Sequence, residues 1–194
     1  METGHRRVAG VDEAGRGPLA GPVVAAAVVL DAGAIPAGLA DSKALSAAAR
    51  ERLYEAICAS ADLAVAFASA ATVDRINIRM ATLDAMRRAV LGLCSAADAA
   101  LIDGRDVPAG LALPASAVIG GDARSVSVAA ASIIAKVTRD RLMARCEPAF
   151  TGYGLAAHKG YPTAAHRAAL TRLGPSRLHR LTFGPVRACL ERAD

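Results

Sequence analysis

Residues 8–24, which read VAGVDEAGRGPLAGPVV, decide the fold of this chain. A short apolar run ends in two adjacent carboxylates, Asp12 and Glu13, and a glycine-rich turn that contains Arg16 follows. A second apolar run then extends from Val23 to Leu30. Apolar run, turn and apolar run together predict a β-hairpin whose turn carries acidic side chains and accessible backbone amides. Chemistry on a phosphate would use both, although Asp, Glu and Gly are also ordinary turn residues.

The composition excludes several classes of protein. The chain has 194 residues, 54% of them hydrophobic, and its longest apolar run is far too short to span a bilayer. No apolar signal region follows the first seven residues, so we expect a cytoplasmic protein without a membrane partner. The four cysteines show no C-x-x-C pairing, which argues against a zinc site and a disulfide framework and favours buried free thiols.

Charge is distributed unevenly along the chain. Residues 1–123 carry 11 Lys and Arg against 14 Asp and Glu, whereas residues 124–194 carry 12 against 4. A basic late region favours a polyanionic partner, with a merely solvated surface as the alternative.

Hydrophobic periodicity predicts an α/β protein. The predicted strands are 6–12, 22–30, 63–70, 99–102 and 115–119, and the predicted helices are 46–59, 72–93, 122–145, 163–173 and 184–192. The composition changes at Glu147, after which Pro and Gly residues interrupt the helical pattern. We therefore expect a catalytic domain over residues 1–146 and a small, basic, helical part over residues 147–194 that packs on it as one structural unit.

Four carboxylates stand near predicted strand ends: Asp12, Glu13, Asp103 and Asp122. If the strands share one sheet, these groups can converge at one edge, where they would repel one another unless a cation neutralises them. A ligand set of oxygens alone suits Mg²⁺ or Mn²⁺, and two such ions roughly 4 Å apart could clamp a phosphodiester. The alternatives are a turn aspartate at Asp103 and a helix N-cap at Asp122.

Glu13 presents a geometrical problem. Neighbouring residues of a strand point to opposite faces, so Asp12 and Glu13 cannot both reach one metal from a regular strand. Either the strand bends at Glu13, or Glu13 contributes its carbonyl or an indirect contact. We expect Asp12 to be the shared ligand.

The chain resembles the ribonuclease HII family, the bacterial type 2 ribonucleases H. The matching segments run in family order: 11–17 (VDEAGRG), 41–43 (DSK), 102–104 (IDG), 121–122 with 130–140 (GD and AASIIAKVTRD), 158–163 (HKGYPT), and His179-Arg180 with Phe183. The resemblance implies a ribonuclease H-like fold: a mixed five-stranded sheet with flanking helices and a small helical C-terminal extension.

It also implies a metal-dependent endonuclease with a role in ribonucleotide excision repair, which cleaves the RNA strand of RNA–DNA hybrids and incises duplex DNA at single ribonucleotides. The products would carry 3′-hydroxyl and 5′-phosphate ends.

The same resemblance assigns residues to roles. Asp12, Glu13, Asp103 and Asp122 match the family's catalytic metal-binding carboxylates, and Gly15, Arg16, Gly17 and Tyr161 match its sensor of the ribose 2′-hydroxyl.

Physical arguments support such a sensor. RNA differs from DNA at the 2′-hydroxyl, and glycines let a backbone approach a ribose closely. Arg177 and Arg180, from the basic C-terminal part, are expected to hold the duplex backbone. Lys43 is either a phosphate contact or a solvated lysine beside a helix start.

Two other functions fit parts of the sequence. A metal-dependent phosphatase acting on a small molecule would use the four carboxylates but not the basic C-terminal part, and a hybrid-binding module would use that part without catalysis. We expect a monomer that binds RNA–DNA hybrids and ribonucleotide-containing duplexes.

Overall fold

The computed structural model describes residues 7–39 and 45–191. Five strands form one mixed sheet in the order β3-β2-β1-β4-β5. Their bounds are β1 Val8–Ala14, β2 Val23–Val29, β3 Asp62–Ala68, β4 Ala99–Asp103 and β5 Ala115–Val118. β2 is antiparallel to both β1 and β3, whereas β4 is parallel to both β1 and β5. The predicted mixed five-stranded sheet is therefore confirmed.

Helices cover both faces of the sheet. Their bounds are α1 Ala47–Ser60, α2 Ala70–Leu91, α3 Val126–Cys146, α4 Leu155–His158, α5 Ala164–Leu173 and α6 Gly184–Leu190, with 3₁₀ turns at Gly121–Ala123 and Glu147–Ala149. α2 packs on one face against Ala9 and Val11, and α1 and α3 pack on the other against Ala26 and Val28. No helix in the described part of the chain is long and apolar enough to cross a membrane.

Two predicted boundaries are wrong, and both concern candidate site residues. β1 continues through Glu13 to Ala14, because each of these residues pairs with β2. α3 begins only at Val126, and its N-cap is Ser125, whose side chain accepts a hydrogen bond from the Val128 amide. Asp122 is therefore not the N-cap of α3 but part of the preceding 3₁₀ turn.

The cysteines are free, as expected, but they are not the buried thiols that their neighbours suggested. Cys58 and Cys94 are exposed, and Cys146 and Cys189 are half-buried. α1 buries Leu53 and Ile57, and this stripe leaves Cys58 on the solvent side.

β1 and α3 approach each other closely at Gly10. A Cβ added at Gly10 would lie 2.0 Å from the carbonyl carbon of Ser127 and 2.2 Å from the Val128 amide nitrogen. Backbone atoms cannot yield as a flexible side chain does. Gly10 therefore sets the distance between the strand that carries Asp12 and the helix behind it.

We predict that Gly10→Ala lowers the free energy of unfolding by about 3 kcal/mol, since the added methyl group overpacks a backbone contact. Urea denaturation measures the change. Gly33→Ala is the control: its Cβ would meet no atom closer than 3.5 Å, so the change should stay within about 0.5 kcal/mol. Equal urea midpoints for Gly10→Ala and the wild type would contradict the close packing.

Candidate active site

Asp12 and Asp103 lie side by side at the carboxyl ends of two parallel strands. The β1–β4 register pairs Val11 with Ile102, so the next residue on each strand is one of the two aspartates. Both occupy the face that α3 covers, as do Gly10, which approaches Ser127, and Leu101, which packs on Val128. The predicted convergence of these two carboxylates at one sheet edge therefore follows from the register.

Asp12 is the most strongly perturbed acid of the site. Its side chain is only 5% exposed. Burial raises its pKa well above the usual range, and the charges of Glu13 and Asp103 raise it further. Hydrogen bonds from Ser132 and from the Glu13 amide, 2.7 Å from Asp12 Oδ1, oppose the shift. A buried carboxylate beside two others is a place where a cation is strongly stabilised.

Glu13 lies on the opposite face of β1, as strand alternation requires. The pairing of Glu13 with Ala25 is regular, so no bulge in the strand register turns it toward Asp12. Its carboxylate accepts a hydrogen bond from Arg16 Nη1 at 3.3 Å. Burial raises the pKa of Glu13, and the neighbouring Arg16 opposes that rise. Glu13 borders both the Asp12 cleft and a second hollow lined by Arg79 and Asp106.

Asp122 is connected to Asp103 through the backbone of its 3₁₀ turn. The Gly121 amide donates to Asp103 Oδ1 at 2.7 Å, which places Asp122 one residue from a direct contact of Asp103. Asp122 itself is buried and borders a neighbouring hollow with Leu39 and Arg124. Among residues 7–39 and 45–191, no three Asp, Glu, His or Cys side chains are grouped closely enough to hold a metal ion. The four predicted carboxylates are thus close in the fold without forming a ready-made cluster.

The Gly15-Arg16-Gly17 segment lines the cleft together with Asp103, Ser132 and Lys136. Its carbonyls face inward: those of Gly15 and Arg16 both accept hydrogen bonds from the Arg180 guanidinium. In a trans peptide the N–H points away from the C=O, and the chain has no cis peptide bond in its described part. The amides of Arg16 and Gly17 therefore point away from Arg180.

Arg139 and Arg180 are buried and together bind six backbone carbonyls. Arg139 donates to Ala20, Pro22 and Lys159 at 2.9–3.0 Å, and Arg180 donates to Gly15, Arg16 and Gly21. Five of these six carbonyls belong to the loop that joins β1 to β2. We call this pair of arginines with their carbonyls the arginine clamp. It fixes the loop to α3 and to the C-terminal part.

The prediction that Arg180 contacts the duplex backbone is wrong. Its side chain is 0% exposed, and all three of its guanidinium nitrogens bind carbonyls. Burial, reinforced by the charge of Arg139, lowers the pKa of Arg180 to about 9. Arg180 therefore makes long-range tertiary contacts with the β1–β2 loop instead of the expected contact with a duplex backbone.

Tyr161 reaches the cleft from the loop between α4 and α5. Its ring is 41% exposed and lies near Gly17, where an added Cβ would be 3.9 Å from Tyr161 Cε1. Lys136 Nζ is 5.7 Å from the ring centre, and the Arg139 guanidinium is 5.9 Å from it. The structure therefore brings Tyr161 to Gly15, Arg16 and Gly17 although more than 140 residues separate them.

Two predicted contacts fall elsewhere. Lys43 lies outside the described residues. Arg177 is exposed, with its guanidinium 5.3 Å from the Phe150 ring, and it borders a groove with Gly21 and Phe67 rather than the carboxylate cleft.

Sequence reasoning assigned no site role to Ser132 and Arg139, although both contact the site. They are seven residues apart, two turns of α3, on a buried face that is mostly apolar. Polar residues at helical spacing on a buried face were the available signal.

Known proteins resemble this chain in both sequence and fold. Residues 9–186 match the sequence model of the family described as Ribonuclease HII. The chain is 60% identical over 186 residues to "Ribonuclease HII" of Rhizobium leguminosarum bv. trifolii, covering 96% of this chain and 81% of that one. It is 58% identical over 193 residues to "Ribonuclease HII" of Brucella abortus, covering 98% and 88%. The crystal structure of ribonuclease H2 from Pyrococcus horikoshii superposes with a TM-score of 0.82 at 28% identity, covering 96% of this chain and 98% of that one.

We predict that Arg180→Lys lowers the free energy of unfolding by about 3 kcal/mol, because a single ammonium leaves buried carbonyls without a donor. Activity should fall on every substrate, since the loop that it holds lines the cleft. Arg177→Lys, on the exposed neighbour three residues earlier, is the matched control and should leave the melting temperature unchanged. Wild-type stability of Arg180→Lys would show that the clamp does not hold the loop.

Proposed function

The chain belongs to the ribonuclease HII family and is thus a ribonuclease H endonuclease, and we propose that the cleft between Asp12 and Tyr161 is where it cuts. Like the family, it is a metal-dependent phosphodiester hydrolase that acts on RNA–DNA hybrids. We propose further that it incises duplex DNA at single ribonucleotides and leaves 3′-hydroxyl and 5′-phosphate ends. The family match leaves no support for a small-molecule phosphatase or a non-catalytic binding module.

One observation carries the proposal: buried Asp12 and half-buried Asp103, two carboxylates that repel each other, line the same cleft as a glycine-rich segment. Asp12, Asp103, Gly15, Gly17 and Tyr161 all line this cleft. The cleft has a volume of about 410 Å³, which suits a nucleotide-sized group. Carboxylates would repel a bare phosphate, so the arrangement is productive only with cations between them.

The residues fit Mg²⁺ or Mn²⁺. All candidate ligands are carboxylate oxygens, and burial, with the charges of Glu13 and Asp103, raises the pKa of Asp12, so that a bound cation would stabilise its ionised form. We propose that Asp12 and Asp103 hold the ions directly and that Glu13 and Asp122 complete the set from the two sides. When bound, two such ions activate the attacking water and stabilise the leaving oxygen of a phosphodiester.

Sugar recognition is assigned to the Gly15-Arg16-Gly17 segment. The amides of Arg16 and Gly17 point away from the arginine clamp, and we propose that they meet the ribose and its neighbouring phosphate. Gly15 has φ +95°, and a Cβ there would lie 2.0 Å from Arg139 Nε, so no side chain can stand between the loop and the clamp. The Tyr161 ring would pack on the next sugar, where an additional 2′-hydroxyl would crowd it.

Duplex binding is assigned to cations that line the cleft or lie elsewhere on the protein. Arg16 is exposed, and Lys136 lines the cleft while pairing with Asp140 at 3.0 Å. We propose that these residues, with exposed Arg177 and, from outside the described part, Lys43, contact phosphates without reading sequence.

We predict that Asp12→Asn and Asp103→Asn abolish cleavage while the fold persists. Removing a buried charge relieves repulsion, so the melting temperature of Asp12→Asn at pH 7.5 without metal should equal or exceed that of the wild type. Mg²⁺ or Mn²⁺ should raise the wild-type melting temperature and leave that of Asp12→Asn nearly unchanged. Asp31→Asn, beyond the far end of β2, is the control and should behave as the wild type. Near wild-type turnover of Asp12→Asn would refute the metal assignment.

We predict that Tyr161→Ala lowers cleavage of a duplex with one ribonucleotide about tenfold more than cleavage of a continuous hybrid, because stacking of an aromatic ring contributes about 1–3 kcal/mol. Tyr161→Phe should retain most activity if ring packing dominates.

The control is Phe67→Ala, since this ring is 43% exposed but borders the other groove. Its ratio of the two activities should equal that of the wild type. An unchanged ratio in Tyr161→Ala would remove the sensor role.

A further inference from the structure

Three histidines pack together beneath the Tyr161 loop. The rings of His158 and His166 stack with their centroids 4.3 Å apart, and His166 Nε2 lies 3.1 Å from His179 Nε2. His166 and His179 are almost fully buried. None of the three lines the carboxylate cleft, and the reaction proposed above does not use them.

The neighbours of His166 and His179 determine which ring nitrogens carry protons. His166 Nδ1 lies 3.0 Å from the Tyr161 carbonyl, which only accepts, so Nδ1 carries the proton. In a neutral ring His166 Nε2 is then an acceptor, and His179 Nε2 must donate to it. His179 Nδ1 is consequently the acceptor for the Ser176 amide at 3.0 Å and the Ser176 hydroxyl at 2.9 Å.

The result is a directed chain of hydrogen bonds from Ser176 through His179 and His166 to the Tyr161 carbonyl. A second proton on His179 would point at the Ser176 amide, and a second proton on His166 would point at the His179 Nε2–H. Each would place two hydrogen-bond donors against each other. The chain is complete only when both rings are neutral. Burial, with the adjacent His166, lowers the pKa of His179 to about 4, and burial lowers the pKa of His166, which agrees with neutral rings at pH 7.

Tyr161 is held at both of its backbone polar groups. Its amide donates to the His158 carbonyl at 2.9 Å, and its carbonyl accepts from the Thr163 amide at 2.8 Å as well as from His166. The ring is 41% exposed and lies near Lys136 and Arg139, so its direction also depends on where the backbone of Tyr161 is held. The His166 side chain contacts this backbone at the Tyr161 carbonyl and is itself positioned by its contact with His179.

We propose that His166 is a positioning residue that, through the chain from Ser176 and His179, sets the Tyr161 ring for discrimination of single ribonucleotides. This inference rests on the proposed sensor role of Tyr161. It assigns specificity to residues that never touch the substrate. It differs from a packing role in one respect: it depends on the proton at Nδ1 rather than on the volume of the ring.

Two isosteric variants separate these roles. In His166→Asn the amide nitrogen takes the place of Nδ1 and can still donate to the Tyr161 carbonyl. In His166→Gln the amide takes the place of Nε2, which keeps the contact with His179 and loses that donation. We expect His166→Asn to retain the wild-type ratio of activities on the single-ribonucleotide duplex and the continuous hybrid. We expect His166→Gln to lower this ratio about fivefold, which corresponds to one hydrogen bond.

The outcomes are distinct when Tyr161→Ala is measured beside them. A shifted ratio in Tyr161→Ala with an unshifted ratio in His166→Gln overturns the His166 inference and leaves the proposed function intact. An unshifted ratio in Tyr161→Ala is a failure of the sensor role itself, and the inference falls with it. Equal losses on both substrates in both His166 variants show a packing role and also overturn it.

A measurement on the wild type keeps the inference testable if a variant does not fold. Nitrogen chemical shifts of the imidazole rings at pH 7 report which nitrogen is protonated. We expect the Nδ1–H tautomer for His166 and the Nε2–H tautomer for His179. The Nε2–H tautomer for His166 would overturn the inference.

Discussion

Two buried guanidinium groups hold the loop on which the site depends. The loop between β1 and β2 buries Leu19 and Ala20 in apolar clusters, and its carbonyls would be unsatisfied in the interior without a donor. Arg139 and Arg180 supply those donors, and arginine suits this role because its planar fork offers five of them with no acceptor. Once the carbonyls face inward, the amides of Arg16 and Gly17 must face outward. By satisfying the buried carbonyls, the arginine clamp leaves the amides on the outer side of the loop, where a substrate can reach them.

The sequence allowed the sheet, its class and the carboxylate edge to be predicted, because these follow from local rules. Apolar runs bounded by turns mark strands, and acidic residues at the carboxyl ends of parallel strands meet at one edge. Asp12 and Asp103 illustrate this: Val11 pairs with Ile102, and the aspartates are the next residue on each strand. Glu13 shows where such local rules stop. Strand alternation predicted that Glu13 and Asp12 could not both point to one metal from a regular strand, but only the observed pairing with β2 shows that the strand stays regular at Glu13.

The rest could not be predicted because it depends on burial, which is a tertiary property. Arg177 and Arg180 stand three residues apart in one basic segment, yet the first is exposed and the second buried. Net charge counts them alike, so the basic excess of the C-terminal part overstates the charge available to a duplex. Ser176 and His179 likewise resemble ordinary loop residues until the fold brings them beneath Tyr161.

The C-terminal part uses two kinds of donor, and each matches the geometry that it serves. Where several carbonyls converge, as in the β1–β2 loop, a cation with many donors and no acceptor satisfies them all. At Tyr161 a single carbonyl needs a donor whose own position is fixed by another hydrogen bond. A neutral histidine suits this role because it donates at one nitrogen and accepts at the other. A second cation there would also be repelled by the buried charges of Arg139 and Arg180. Charge at the clamp and neutrality under Tyr161 are thus two consequences of one constraint, the satisfaction of buried carbonyls.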